Sequence, residues 1–360
     1  MMHFSLLLSA ALAVGGQPDF LPPPGGIGCE YPLLTVRGYG MGGVEGCAPN
    51  EASLSLMNPS ASAWVRSTGL SAALGYSESD LPSRDGRGSF PYMAFVFPLP
   101  GGVSLAGGLV ARSSLDCSDS LMVDGFQGDF NWKGGTGDGY FGMAVRANPH
   151  LAFSLGGRFL WGSLQSDVML RRDSIGYVAP LTWKYRDDLY LRPSWGVQLG
   201  STFSNGPVSF GVSITTDRSG TLDLSRDFIS DIEADSTADQ IYDVPGEGFA
   251  GFTVRPLEGV SLGASYFRRK SLSLLGSRTS AGDIMGLGAE VDLSRSISAR
   301  GGVSFMDGLW RDGGRALSGG LSYSLPGDRA RLDFSVTHET WDENGETTIR
   351  LGFWGSERWR

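Results

Sequence analysis

An alternation of apolar and polar residues, repeated in segments of about ten residues, is the feature that most constrains the fold of this chain. From Leu151 to Gly162, large apolar side chains hold most odd positions, and small or polar ones hold most even positions. Because successive side chains of a β-strand point to opposite faces of a sheet, this period of two predicts a strand with one apolar face. The same pattern recurs to the end of the chain, which therefore predicts an all-β protein.

We predict fourteen strands, in which short turns alternate with longer connections. They cover residues 69–78, 88–98, 102–112, 137–147, 150–162, 189–204, 207–217, 248–256, 259–270, 282–293, 296–307, 314–325, 329–341 and 346–355. An even number of such strands is typical of a transmembrane antiparallel β-barrel. In lipid every backbone polar group must pair within the protein, which a closed sheet achieves. A soluble β-sandwich is the alternative, but its connections do not alternate so regularly in length.

Composition excludes several other classes of protein. Gly accounts for 54 of the 360 residues, about twice the ~7% of an average protein and too much for a helical one. The formal net charge is -9 and the basic residues are not clustered, so we expect no nucleic-acid partner. After the N-terminus, no apolar run reaches the ~18 residues that a membrane-spanning helix needs.

The N-terminal apolar run Phe4 to Val14, followed by small residues, predicts a signal peptide over residues 1–16. We assign 17–66 to a periplasmic or plug segment and 67–360 to the outer-membrane barrel. Of three cysteines, Cys29 and Cys47 are a possible pair, and the odd number leaves at least one unpaired.

The connections around residues 113–136, 163–188 and 218–247 are predicted as loops. If both ends of the barrel face the periplasm, these loops lie outside the cell. The third connection carries most of the acidic excess of the chain, which is typical of a solvated loop.

Three short motifs near the N-terminus carry a family resemblance. Gly40-Met41-Gly42-Gly43 is followed by Asn50-Glu51-Ala52-Ser53 and then by Met57-Asn58-Pro59. This order resembles the N-terminal signature of the FadL-like outer-membrane transporters of hydrocarbons and fatty acids, including related barrels that serve type IX secretion. The chain departs from that signature after Pro59, where Ser60-Ala61-Ser62 replaces the Ala-Gly of the family.

The resemblance implies a short N-terminal plug inside the barrel and passive transport of hydrophobic small molecules such as long-chain fatty acids. It also implies that the barrel lies in the lipid of the outer membrane of a diderm bacterium. A structural or secretion-associated barrel that transports nothing is the alternative. The residues expected in the plug or at the ligand are Gly40, Met41, Gly42, Gly43, Asn58 and Pro59. Glycines at 40, 42 and 43 indicate a backbone that packs closely or takes a positive φ.

FadL-like transporters are thought to release ligands sideways through a kink in their third strand. In the third predicted strand of this chain, Gly107 and Gly108 lack side chains that would block such an opening, so the resemblance places a lateral opening there. Plain close packing is the other interpretation of these two glycines.

Charged residues on the polar strand faces are expected to point into the lumen. They are Arg112, Arg146, Arg158, Arg192, Arg300, Arg331, Arg350, Glu290, Asp292 and Asp333. The arginines could hold an anionic headgroup by charge-assisted hydrogen bonds. Alternatively, the arginines and acids pair with each other and with the plug to fill the interior.

No motif predicts catalysis, a metal or a cofactor, so we expect no enzyme. Gly259 to Gly263 matches G-x-S-x-G but enters an alternating strand instead of a strand–turn–helix elbow. The G-x-G-x-x-G spacing from Gly38 to Gly43 lacks the βαβ context of a nucleotide-binding fold. Three histidines, one of them in the predicted signal peptide, form no cluster for a transition metal.

Overall fold

A closed antiparallel β-barrel of fourteen strands forms the body of the chain. The computed structural model describes residues 29–30, 34–45, 55–79, 87–123, 126–172, 181–228, 236–269, 273–274, 277–278, 282–308, 313–325, 329–341 and 344–357. The predicted signal peptide, Cys47 and the segment 50–53 lie outside these residues. The first and last barrel strands pair from Thr68 with Glu357 to Ser79 with Glu346, which closes the sheet. The predicted fold class is therefore confirmed.

The barrel strands follow one another around the wall in chain order, and two of them are interrupted. Their bounds are β1 Thr68–Ser79, β2 Arg87–Leu99, β3 Val103–Val123, β4 Phe126–Asn148, β5 Leu151–Arg172, β6 Leu181–Asn205, β7 Val208–Thr215 with Arg218–Phe228, β8 Ser236–Val244 with Glu247–Leu257, β9 Val260–Arg269, β10 Gly282–Asp292, β11 Ile297–Gly308, β12 Gly314–Ser324, β13 Ala330–Trp341 and β14 Asn344–Glu357. Two-residue strands outside the barrel set are Cys29–Glu30, Ser273–Leu274 and Ser277–Arg278.

Strands β3 to β6 are about twice as long as those of the opposite half of the barrel. They have 21 to 25 residues, whereas β9 to β13 have 10 to 12. Pairing continues up to Val123 with Phe126 and up to Arg172 with Leu181. The prediction of loops over 113–136, 163–188 and 218–247 is therefore wrong for most of their residues.

The reason for this error is a change on the outer face of the strands. Alternation continues in the added parts of β3 to β8, which we call the extension (residues 113–136, 163–191 and 218–244, where described). Trp132, Leu164 and Leu224 are buried on its inner face. On the outer face, Asp167 and Arg186 form an exposed ion pair, N–O 2.8 Å. With polar residues replacing apolar ones outside, the extension lacks the apolar band of a membrane strand.

A cluster of aromatic rings marks the level at which the outer face changes. Phe159 packs against Trp161 and Trp195, with ring centroids 5.2 and 4.8 Å apart. These rings lie over Gly137 and Gly139 of β4, where a Cβ would meet them within 2.4 Å. On the other side of this level, outward side chains such as Phe141, Phe153 and Leu155 are exposed, as lipid-facing side chains are in barrels.

Two plug segments lie inside the barrel. The plug helix segment, residues 34–45, contains the helix α1 (Val36–Gly40) and contacts β11 to β14. The Asn-Pro segment, residues 55–67, contains the 3-10 helix Pro59–Trp64 and contacts β3 to β6. The two segments therefore dock on opposite parts of the wall. Among the described residues, no helix has the length and apolarity to cross a membrane.

Candidate functional site

The turn after α1 packs directly on a stretch of wall that lacks side chains. Gly42 and Gly43 adopt φ of 65° and 94°, the left-handed region that favours glycine. A Cβ at Gly288 of β10 would lie 2.1 Å from the carbonyl oxygen of Met41, and one at Gly302 of β11 would lie 2.4 Å from it. Glycine on both surfaces thus allows two backbones to touch.

Charged groups also join the plug helix segment to the wall. The Arg37 guanidinium donates to both carboxylate oxygens of Glu290, with Nε–Oε2 3.0 Å and Nη2–Oε1 2.9 Å. Arg300 of β11 forms an ion pair with Asp333 of β13 at 2.9 Å. The Arg300 side chain also packs on the plug, because a Cβ at Gly40 would lie 2.7 Å from the Arg300 Cδ. This side of the plug is held by an ion pair and by packing.

Glu45 is the carboxylate of the plug helix segment itself, and it is buried. Its Oε2 accepts a hydrogen bond of 2.6 Å from the Thr35 amide, and it lies where a Cβ at Gly38 would stand. Burial raises the pKa of Glu45 to about 7, while the Thr35 hydrogen bonds, Arg37 and Ser55 oppose that shift. Burial therefore favours the protonated carboxyl.

Neutral hydrogen bonds fix the Asn-Pro segment. The Asn58 side chain is fully buried, and its Nδ2 donates to the Ser201 carbonyl at 3.2 Å and to Thr202 Oγ1 at 3.0 Å. Its Oδ1 accepts from the Ser60 hydroxyl at 2.7 Å. Gln198 donates to the Met57 carbonyl at 2.9 Å. Pro59 follows at the first position of the 3-10 helix, where its missing N–H costs nothing.

Two of the predicted lumen arginines belong to a buried network whose other members could not be predicted from the sequence. We call it the arginine–carboxylate network. It contains Arg112 of β3, Asp138 of β4, Arg158 of β5, Arg218 of β7 and Glu247 of β8. All five are buried. Arg158 contacts Asp138 at 3.0 Å and Glu247 at 2.9 Å. The sequence prediction missed Asp138, Arg218 and Glu247, because it assigned two of them to a loop and did not consider the first.

The remaining predicted charges lie in different places. Arg350 is buried with its guanidinium 3.5 Å from the ring centre of Tyr39 in the plug, and Arg331 binds Asp333 at 3.1 Å. Arg146 is half-buried near the β3 turn, against Gly102. One prediction is wrong, since Arg192 is exposed and binds Asp223, which lies on the outer face between the buried Leu222 and Leu224. The reason is a shift in the pairing of β5 with β6 between Leu191 and Ser194, where the alternation changes face. Asp292 is exposed beside a turn at the end of β10 and accepts from Ser298.

Gly107 and Gly108 occupy an unbroken part of the sheet. They pair with Phe95 and Ala94 of β2, and with Phe141 and Tyr140 of β4. A Cβ at Gly107 would meet the Phe95 ring at 2.7 Å, and one at Gly108 would meet the Leu56 side chain of the plug at 3.0 Å. These contacts agree with close packing and give no opening at this position.

The irregular part of β3 begins a few residues later. Pairing between β2 and β3 runs from Leu99 with Val103 to Tyr92 with Val110, and within the described residues it ends there. The register of β3 on β4 shifts between Ala111 and Ser113, which makes Arg112 a bulge residue. On the freed side, Ser113 and Ser114 pair with the short strand Cys29–Glu30. We call the separation of β2 and β3 beyond Val110 the β2–β3 gap.

Apolar side chains of the lumen meet beside this gap. Tyr92, Val110 and Tyr140 of the wall belong to one buried cluster with Leu56 and Met57 of the Asn-Pro segment. Further wall members are Phe249, Phe267 and Ile284, and further plug members are Leu34, Val36 and Tyr39. This cluster could not be predicted from local alternation, because several of its members lie on strand faces that are otherwise polar.

Motifs with catalytic or metal-binding associations have other roles in the structure. Gly259 lies in the turn before β9 with φ 74°, and Ser261 follows inside that strand. Across the part of the chain that the structure describes, no group of three or more His, Cys, Asp or Glu residues is placed to hold a metal ion.

Comparison with solved structures places this geometry among known barrels. A FadL homologue of Pseudomonas aeruginosa matches with a TM-score of 0.72 over 91% of this chain and 99% of its own, at 12% identity. The chain has the FadL-type fold. The toluene transporter TbuX of Ralstonia pickettii matches with a TM-score of 0.63 at 16% identity, over 90% of this chain and 97% of its own.

The toluene transporter TodX of Pseudomonas putida matches with a TM-score of 0.62 at 13% identity, over 92% of this chain and 99% of its own. A scan against protein-family models finds no match, and a search of curated proteins finds no relative. The FadL-type fold is thus shared without a close sequence relative in these comparisons.

Proposed function

We propose that this FadL-type barrel passes hydrophobic small molecules passively across the outer membrane of a diderm bacterium. The observation that carries the proposal is the buried apolar cluster between plug and wall, which lies beside the β2–β3 gap. Similarity to proteins named as toluene transporters supports a hydrophobic cargo.

The route runs past the plug and leaves through the wall. A complete wall has no sideways exit because each strand is hydrogen-bonded to two neighbours, and a bulge beside an unpaired edge opens one at the lowest cost. We place this exit in the β2–β3 gap, beyond Val110, and not at the paired residues Gly107 and Gly108.

The plug helix segment is the part that moves. The Asn-Pro segment ends at Ser67 and continues directly into β1, and its amide and hydroxyl groups are bonded to β6. The plug helix segment is separated from it by the chain between residues 45 and 55. It contacts the wall through glycines, a partly exposed ion pair, the Arg350–Tyr39 ring contact and a hydrogen bond from Ser265 to the Gly43 carbonyl. These contacts are easier to release than the several buried hydrogen bonds of the Asn-Pro segment.

Uptake by intact cells tests the proposal. Cells that produce the protein should take up toluene faster than cells without it. A parallel assay with a long-chain fatty acid shows whether larger hydrophobic molecules also pass. Val110→Trp, which places a bulky ring on the lumen side at the last β2–β3 pair, should reduce uptake. The matched control Leu109→Trp points outward from the next position and should leave it unchanged. Equal uptake with and without the barrel would favour the structural or secretion-associated alternative.

A further inference from the structure

The arginine–carboxylate network crosses the lumen. Arg112 stands on β3 and Glu247 on β8, five strands further around the wall, and their side chains form an ion pair. Neighbouring strands are ~4.8 Å apart, so five intervals along the wall amount to roughly 24 Å. An arginine side chain cannot follow that path, so the bond runs across the interior.

The β3 end of this ion pair lies just beyond the point where β3 stops pairing with β2. Beyond Val110 the described part of β2 makes no pairs with β3, and the bulge turns Arg112 into the lumen. On that edge, the Cys29–Glu30 strand pairs with two residues only. The cross-lumen ion pair therefore holds β3 at the position where sheet hydrogen bonds to β2 stop.

Two further arginines and a second carboxylate lie around the pair within the described residues. Asp138 contacts Arg112 at 3.4 Å and Arg218 at 3.0 Å, and Arg158 contacts both Asp138 and Glu247. Three arginines share two carboxylates. Removing Glu247 alone would leave buried positive charge, which is strongly destabilising, whereas neutralising both members of one pair changes no net charge.

We propose that the Arg112–Glu247 ion pair is a latch that holds the part of β3 beyond Val110 toward β8 and thereby sets how far the β2–β3 gap opens. The effect on transport rests on the proposed function, while the effect on β3 itself does not. The latch is a positioning device, since neither residue needs to touch the cargo.

The test uses the full-length protein in lipid nanodiscs and follows amide hydrogen exchange by mass spectrometry. The variant is Arg112→Met with Glu247→Gln, which removes the pair and keeps the net charge. We expect exchange in residues 111–116 of β3 to rise at least ~10-fold, and exchange in β12, which lies outside the network, to stay unchanged. The matched control is Asp167→Asn with Arg186→Gln, an exposed pair between adjacent strands at 2.8 Å, which should alter neither segment.

Two further measurements keep the latch separate from the transport function. Arg112→Lys keeps the charge but loses the guanidinium fork, and it should give an intermediate rise even if the double variant does not assemble. Unchanged exchange in β3 of either folded variant would overturn the latch. If exchange rises as expected but toluene uptake does not change, the latch stands and the proposed exit through the gap is wrong.

Discussion

The two plug segments are attached to the barrel by different physical means. The Asn-Pro segment places Asn58 among amide, hydroxyl and carbonyl groups of β6, all without charge. The plug helix segment packs a glycine turn on the glycines of β10 and β11 and adds the Arg37–Glu290 pair, the Tyr39–Arg350 contact and a hydrogen bond from Ser265. Directional buried hydrogen bonds fix one position, whereas smooth backbone contact allows sliding. The comparison indicates an anchored segment and a movable one.

The largest expected effect comes from filling the glycine contact. Gly302→Val would place side-chain atoms where the Met41 backbone lies, at 2.4 Å from the ideal Cβ. We expect loss of plug docking by about 3 kcal/mol or more. Trypsin should then cut after Arg37 in the assembled barrel. Gly301→Val is the control, because its Cβ meets nothing closer than 3.7 Å. Equal protection of both variants would contradict the close contact.

Protonation of Glu45 should also act on the movable segment. Its pKa is raised from 4.5 to about 7 in the docked plug, so docking is strongest below pH 4.5, weakens as the pH rises toward 7, and is constant above that. The full range corresponds to at most about 3 kcal/mol. Tryptic cleavage after Arg37 should therefore increase from pH 5 to pH 8. Glu45→Gln should remove this dependence, and a slope that persists in the variant would assign it to another group.

Loss of the Asn58 side-chain amide should lower the stability of the protein, because this amide holds the Asn-Pro segment on β6. Asn58→Ala removes hydrogen bonds to Ser201, Thr202 and Ser60 and leaves buried polar atoms without them. We expect the free energy of unfolding to fall by about 2 kcal/mol. Urea unfolding in detergent measures it, with the exposed turn variant Asn205→Ala as the control. A loss confined to the control would refute the anchoring role.

The smallest effect is expected at the ion pair of the plug helix segment. Arg37→Gln removes the two bonds to Glu290, which keeps Arg300 as a neighbour at 3.5 Å. The pair is partly exposed, so docking should weaken by about 1 kcal/mol. Toluene uptake should rise a few-fold, while Arg186→Gln, on the exposed outer face, should not change it. A fall in uptake would mean that Arg37 guides the cargo.

Alternation in the sequence was enough to predict the fold, but not the full length of strands β3 to β8. The fourteen strands and their turns follow from a period of two, and this period continues through Leu222 and Leu224 into the extension. The polar outer face there resembles a loop in composition. Only the pairing partners, which lie on other strands, show that these residues are sheet.

The site was less predictable than the fold. Glycines near residue 40 could be recognised as a close contact, but their partners Gly288 and Gly302 are more than 200 residues away. Likewise, polar faces predicted that Arg112 and Arg158 point inward, but not that Glu247 would meet them from β8. Long-range register determines both arrangements, and local alternation does not specify which residues of distant strands meet.

Locking each plug segment in turn tests most directly that the plug helix segment moves to admit a hydrophobic cargo. Val36→Cys with Gly352→Cys brings two cysteines within reach of a disulfide, because a Cβ at Gly352 would lie 3.1 Å from the Val36 Cβ and a shift of a few tenths of an ångström reaches the usual disulfide spacing. Ser62→Cys with Ser104→Cys locks the anchored segment, where the two hydroxyls are 2.9 Å apart. Native cysteines are replaced by Ser in both. Oxidation of the first pair should reduce toluene uptake to background and reduction should restore it, while the second pair should transport normally in both states. Full uptake with the first pair oxidised would contradict the account.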